Sequence, residues 1–317
     1  MQVEEKVYLG GGVAEAKPLV VAAIPAFNEE KTIAKVVLQV RKYVDWVVVC
    51  DDGSTDMTAE IAERLGADVV RHEKNLGYGV SLKSLFRRAQ ELGANLMVTL
   101  DGDGQHNPAE IPVLVEPVLQ GKADVVVGSR FLGDAKKKNH VPRYRRLGIK
   151  AITGLTHAAS NLGLSDAQCG FRVYGPKALE SLSLFENGMG ASVEVLMEAK
   201  KQGLTVVEVP TRCTYRGLER TSTQGALRHG TSVIMSILRL VVEESPLLFL
   251  GLPGVASLLV GMIFGVWMLQ IYAVEHQITT NIALASIAFI LIGFFAVSTA
   301  ITLYAISRLV QKTNNRH

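Results

Sequence analysis

Between residues 19 and 129 the chain alternates short, almost unbroken apolar runs with longer stretches in which apolar side chains recur every three or four positions. The runs are LVVAAI (19–24), WVVVC (46–50), ADVVRH (67–72), NLMVTL (95–100) and DVVVGS (124–129). Continuous β-branched runs of this length predict strands buried on both faces, and the periodic stretches predict amphipathic helices. Their alternation predicts a mostly parallel, doubly wound α/β sheet with right-handed crossovers. Ligands of such sheets bind beyond the carboxyl ends of the strands, which is where the polar motifs of this chain fall. From 141 to 211 the pattern is less regular. It predicts a helix over 143–162, a loop through 166–172 (DAQCGFR), a helix over 191–202 and a strand over 205–209 stopped by Pro210.

The last quarter differs in kind. No Asp, Glu, Lys or Arg lies between Glu244 and Glu275, or between Glu275 and Arg308. Each stretch exceeds the roughly 20 residues that carry a helix across a bilayer. Spans are expected over 247–271 and 282–306. Arg228 and Arg239 precede them and Arg308, Lys312 and Arg316 follow, so both flanks are expected in the cytoplasm. Just before the first span, Leu227, Ile234, Ile237, Leu238 and Val241 recur at helical spacing with Arg228 and Arg239 interspersed. That segment reads as an amphipathic helix, lying in the membrane interface or packed on the domain. The expected organisation is a flexible start (1–17), an α/β domain (18–224), a juxtamembrane helix (225–244), two transmembrane helices (245–310) and a cytoplasmic tail (311–317).

Composition adds little to this picture. The 317 residues carry a net charge of +3, which does not call for nucleic acid. Cys50, Cys169 and Cys213 are odd in number and lack metal-ligand spacing, so they read as reduced thiols. Residues 1–17 hold Glu4, Glu5 and Glu15 and no apolar core of a signal peptide, which leaves the α/β domain in the cytoplasm.

The chemistry concentrates in the loops. The fourth run leads directly into Asp101-Gly-Asp-Gly-Gln-His106. Two carboxylates one residue apart at a strand end repel each other unless a cation joins them. Oxygen ligands suit Mg²⁺ or Mn²⁺, and a nucleotide diphosphate can complete the shell. Gln105 or His106 offers a further ligand or hydrogen bond. Asp and Gly also build plain acidic turns, but the place after a buried strand favours the metal. The first run leads into Pro25-Ala-Phe-Asn-Glu29, where Phe27 can flank a base and Asn28 and Glu29 offer polar contacts. The second leads into Asp51-Asp-Gly-Ser-Thr-Asp56, with Asp51 and Asp52 favoured for the nucleotide and Asp56 for a helix cap. Gly77, in NLGYG, and Gly102 permit close backbone approach. No GxxxxGK[ST] exists and no GxGxxG follows the first run, which argues against a P-loop kinase or a dinucleotide dehydrogenase.

In this order "IPAFNEE", "VVVCDDGSTD", "NLGYG", "TLDGDGQHNP" and "VVVGSRF" resemble glycosyltransferase family 2, inverting enzymes of GT-A fold. "SDAQCGFRVY" followed by two spans is similar to the polyprenyl-phosphate (dolichyl-phosphate) sugar synthases. The resemblance implies Pro25, Phe27 and Glu29 at the base, Asp52 on the nucleoside and Asp101, Asp103 and Gln105 around the metal. It also implies Arg130 on phosphate and Asp166 where the family carries its candidate catalytic acid. The family's GxSK element appears here as Arg220-Thr-Ser-Thr223, and QxxRW is absent, which favours one sugar per turnover.

The expected substrates are a nucleotide-sugar, UDP favoured over GDP, and a polyprenyl phosphate in the bilayer; a homo-oligomer is compatible with the sequence. A phosphate acceptor is already ionised near neutrality, because its second pKa is about 6, so it needs no general base. It needs arginine forks. The pool is Arg130, Arg143, Arg145, Arg146, Arg172, Arg216 and Arg220, of which Arg130, Arg143 and Arg216 or Arg220 are favoured. Asp166 then orients an arginine or a sugar hydroxyl. A hydroxyl acceptor would instead need Asp166 as a base. A non-enzymatic scaffold would have no use for Asp101, Asp103 and Asp166 together, and a transporter would need charged or broken spans.

Overall fold

A buried β-branched strand must be covered on both faces, and the helices that link these strands do so. In the computed structural model β1 (Val20–Ala26), β2 (Trp46–Asp51), β3 (Asp68–Arg71), β4 (Leu96–Thr99) and β5 (Val125–Ser129) coincide with the five apolar runs. The structure describes residues 17–133, 162–214 and 246–314, with positions 149, 153, 154, 157 and 242 between them. Residues 1–16, most of the helix read over 143–162, nearly all of the 225–242 segment, and Arg143, Arg145, Arg146, Arg216 and Arg220 lie outside the described residues.

Among the described residues seven strands form one sheet, in the order β3-β2-β1-β4-β6-β5-β7. β7 (Val206–Pro210) pairs parallel to β5. β6 (Arg172–Tyr174) runs antiparallel to both β4 and β5 and makes the sheet mixed. It closes the segment that reads as a loop in sequence, because three residues led by an arginine carry no readable period.

The helices follow their apolar stripes. α1 (Ile33–Val40) buries Ile33, Val36, Val37 and Val40, the i, i+3, i+4, i+7 set. α2 (Thr58–Arg64), α3 (Tyr78–Glu91), α4 (Ile111–Leu119), α5 (Pro176–Ser181) and α6 (Ala191–Lys201) complete the domain. β2 and β4 flank β1 on opposite sides. The chain therefore winds outward from β1 to β3 and returns to β4, which leaves a switch point over the carboxyl ends of β1 and β4.

A π-helical turn (Leu247–Gly251) leads into α7 (Leu252–Glu275), which ends where His276 turns left-handed at φ 52°, and α8 (Thr280–Asn314) follows. Both helices are long and apolar enough to cross a membrane, and only 17% and 11% of their most apolar windows are buried. That exposure separates them from the core hairpin of a water-soluble domain. Their seam is made of small residues: a Cβ on Gly293 would lie 2.6 Å from the Gly254 carbonyl oxygen. Ser257 and Ser286 hydroxyls donate across the seam to the Phe289 and Gly261 carbonyls, both at 2.8 Å.

Candidate active site

Three loops meet at the switch point, and polar side chains stitch them together. Asn28 turns left-handed (φ 56°), donates its N–H to Ser54 Oγ at 2.9 Å and accepts from the Thr55 N–H at 2.9 Å. The Glu29 N–H donates to Thr58 Oγ1 at 2.7 Å. Asp56 accepts from the Thr58 N–H at 3.0 Å, at the start of α2, and from the Glu30 N–H at 3.2 Å. Asp56 thus bonds the first residue of α2 from outside the helix, whose N-cap is Met57, and joins the first loop to the second. Thr32, the residue before α1, makes no cap bond. Its hydroxyl lies 3.0 Å from Glu29 Oε2 and 2.8 Å from the Gly102 carbonyl, which ties the first loop to the acid loop. Gly102 is packed closely enough that a Cβ there would meet the Pro25 carbonyl at 3.3 Å and Ala26 Cβ at 3.4 Å. Phe27 and Pro25 are half-buried beside it.

The acids sit over this junction. Asp101 Oδ2 is 3.3 Å from His106 Nε2, and Gly170 leaves room for Oδ1, which a Cβ there would approach to 2.9 Å. Burial pushes the Asp101 carboxyl up, but the hydrogen bond and charge of His106, with Arg130 and Arg172, outweigh it and hold the group below the usual carboxylate range. Asp103 Oδ1 accepts from the Gln105 N–H at 2.9 Å. The Gln105 side-chain oxygen faces Cys213 Sγ at 3.6 Å. Glu29 is pushed up to about 7, first by burial and then by the charges of Asp103, Asp101 and Asp56.

Burial accounts for most of that rise, and the part added by Asp103, Asp101 and Asp56 marks a concentration of negative charge that a divalent cation would relieve. Among the described residues no three His, Cys, Asp or Glu side chains form a ready-made metal cage. The donor set therefore suits a hard cation that takes two carboxylates and completes its shell with phosphate oxygens.

The second loop divides its two acids. Asp52 accepts from His72 Nδ1 at 2.7 Å and from the N–H groups of Leu76 and Gly77 at 3.0 and 2.9 Å, so most of its lone pairs hold the NLGYG loop. Gly77 needs its φ of 100° there, and a Cβ would strike the Asn187 carbonyl at 2.6 Å. Asp51 is 5% exposed, and its Oδ1 is buried with no hydrogen-bond partner among the described residues.

Beyond β5 lies an ion pair. Arg130 Nε and a terminal nitrogen donate to the two oxygens of the fully buried Asp166 at 2.6 and 2.7 Å, and the Arg130 N–H adds a bond of 3.1 Å. Glu208 on β7 accepts the Ser165 and Asp166 N–H groups at 2.8–2.9 Å and fixes the loop. Arg172 is 2% exposed and donates to the carbonyls of Cys169 and Ala167, both at 2.8 Å. It braces this loop from within the core, which removes it from the pool of phosphate-facing arginines. Sequence reasoning passed over Glu208, Gly170 and Thr32. An acid inside the apolar VVEVP run was the one available signal, since the others act on partners some 70 residues away.

An open sheet with an acid pair at its switch point and an arginine–carboxylate clamp beside it defines a sugar-transferring enzyme of GT-A fold. The family model "Glycosyl transferase family 2" matches residues 21–183, and the chain belongs to that family. The protein is a glycosyltransferase. A UDP-N-acetylglucosamine–dolichyl-phosphate N-acetylglucosaminyltransferase of Methanococcus voltae is 32% identical over 69% of this chain and 92% of its own length. A dolichyl-phosphate hexose transferase of Haloferax volcanii is 30% identical, again over 69% and 92%. A glucosyl-3-phosphoglycerate synthase from Mycobacterium tuberculosis, solved with Mn²⁺, UDP and phosphoglyceric acid, is 24% identical, with a TM-score of 0.55 over 72% of this chain and 80% of that one. That likeness speaks to the fold alone.

Proposed function

We propose that the protein transfers a single sugar, with inversion, from a nucleotide-sugar to a polyprenyl (dolichyl) phosphate at the cytoplasmic membrane face. The product would be a lipid-linked sugar donor for glycosylation of proteins or surface glycans. The observation that carries this reading is the buried Arg130–Asp166 clamp within electrostatic reach of Asp101. The lipid-phosphate acceptors named for the Methanococcus and Haloferax relatives support it.

In this reading Pro25, Ala26, Phe27, Asn28 and Glu29 line the nucleotide pocket together with Asp51, Asp52, Gly77, Asp101 and Gly102. The unpartnered Asp51 Oδ1 is suited to accept a ligand N–H, while Asp52 shapes the pocket through Gly77. Asp101 and Asp103, with Gln105 beside them, would hold Mg²⁺ or Mn²⁺, which when bound neutralises the leaving diphosphate. Arg130 would meet the acceptor phosphate, joined by Arg143 and by Arg216 or Arg220. Asp166 serves to hold Arg130 in place, with both its oxygens bound to that guanidinium. Residues 18–224 form the catalytic domain and 225–244 join it to the membrane spans. The two helices within 245–310 anchor the enzyme with its tail, 311–317, and its N-terminus in the cytoplasm. UDP-sugars are favoured over GDP-mannose.

The test is incubation of membranes holding the protein with a panel of labelled UDP- and GDP-sugars and dolichyl phosphate, with and without EDTA. Transfer of label to lipid with one donor, abolished by EDTA, is expected. Absence of labelled lipid with every donor refutes the acceptor, and activity indifferent to EDTA refutes the metal.

A further inference from the structure

His106 has no part in the reading above, yet it is built into the acid loop from every side. Its side chain is 5% exposed and its Nε2 lies 3.3 Å from Asp101 Oδ2. The ring packs against Phe171, with centroids 5.2 Å apart and planes at 44°, which fixes the imidazole plane. Its backbone pairs with Cys213 in an antiparallel bridge, and next to it the Thr214 N–H donates to the Gln105 carbonyl at 2.9 Å. One turn further on, the Arg212 N–H donates to Glu110 Oε2 at 2.9 Å. Residues 212–214 therefore clamp the acid loop and the turn that follows it.

The other ring nitrogen, Nδ1, is buried without a hydrogen-bond partner among the described residues. An apolar ring would fill this space without leaving a polar atom unsatisfied. A histidine that carries that penalty is explained by the bond its Nε2–H donates to Asp101. Gly170 packs against the same carboxylate with no side chain to press on it, since a Cβ there would lie 2.9 Å from Oδ1 and 3.1 Å from Oδ2. Asp101 thus has Oδ2 held beside the His106 imidazole and neither oxygen crowded from position 170.

We infer that His106 is a positioning residue, which orients the Asp101 carboxylate and thereby sets the affinity of the acid loop for a divalent cation. The inference rests on the metal use proposed above. Groups that orient metal-binding side chains typically change metal affinity about 10- to 100-fold when removed.

The experiment measures Mn²⁺ binding to the full-length protein in nanodiscs, from the EPR signal of free Mn²⁺, with UDP present. Wild type, Asp101→Asn, His106→Ala and His106→Gln are compared, and thermal unfolding of each is recorded without metal. His106→Ala is expected to bind Mn²⁺ about 10- to 100-fold more weakly. His106→Gln, whose amide N–H can reach the same carboxylate, is expected to recover most of that loss. A purely structural role would move the unfolding temperature and leave Mn²⁺ affinity unchanged in the folded fraction, and that result overturns the inference. Equal affinity in wild type, His106→Ala and His106→Gln also overturns it. If His106→Ala does not fold, a His106→Gln variant that binds Mn²⁺ as His106→Asn does, with an amide too short to reach, likewise refutes it. Wild type that binds no Mn²⁺, or Asp101→Asn that binds it normally, overturns the metal reading itself and is told apart by those two arms.

Discussion

Replacing Asp166 by Asn separates two mechanisms that a carboxylate at this position could serve. The substitution keeps the shape of the side chain and removes its charge. In the folded protein both Asp166 oxygens accept from the Arg130 guanidinium, at 2.6 and 2.7 Å, and the arginine side chain is only 12% exposed. Removing one charge of such a pair leaves the other buried and uncompensated, at a cost of about 3–5 kcal/mol. For a domain of this size each kcal/mol lowers the midpoint by about 2–4 °C, so a fall on the order of 10 °C is expected. The expected catalytic effect falls mainly on the acceptor KM, because Arg130 loses its orientation. A true general base would instead contribute about 10²–10⁴-fold to the chemical step. The assay pairs thermal unfolding with single-turnover transfer over a range of acceptor concentrations up to saturation, for Asp166→Asn, Arg130→Gln and the double variant. Strong non-additivity is expected, since the two residues act as a unit. An Asp166→Asn protein with unchanged unfolding and acceptor KM but a turnover rate lowered about 10⁴-fold refutes the reasoning and restores Asp166 as a base.

Three further outcomes follow from the site. Burial and the neighbouring acids raise Glu29 to about 7 in the folded protein from 4.5, so its contribution to stability is complete below pH 4.5 and is lost as pH rises through about 7. Unfolding midpoints in EDTA are expected to fall across that window more steeply for wild type than for Glu29→Gln, and parallel curves would contradict this. Gly170→Ala places a Cβ 2.9 Å from Asp101 Oδ1, and is expected to weaken Mn²⁺ binding and activity more than stability, as read by Mn²⁺ titration beside thermal unfolding. Burial pushes the thiols of Cys50 and Cys169 up to about 12, so mass spectrometry after iodoacetamide at pH 8 is expected to find both unmodified until denaturant is added.

The same residues show where sequence reasoning reaches and where it stops. The five strands, the helix stripes and the two long apolar helices were legible because each depends on a repeat within one stretch of chain. The acid pair was legible because it follows a buried strand directly, whereas the cap expected of Asp56 falls one residue early, since Met57 is the N-cap of α2. β6 was not legible, since a three-residue strand held by neighbours on both sides owes its existence to those neighbours. Asp51 and Asp52 look equivalent in sequence. Their different fates, one oxygen unpartnered and one carboxylate spent on His72, Leu76 and Gly77, depend on a loop some 25 residues further along. Arg130, Arg143 and Arg172 likewise begin as members of one pool. Folding buries Arg172 under carbonyls and locks Arg130 onto Asp166, 36 residues distant.

What the sequence by itself determined is the class of fold, the order of its elements and the types of side chain brought to the strand ends, because periodicity and composition act locally. Only the tertiary structure decided which of those side chains spend their hydrogen bonds on one another and which stay open to a ligand. The physical reason is that a carboxylate or guanidinium has few bonding positions, and partners far apart in the chain compete to fill them.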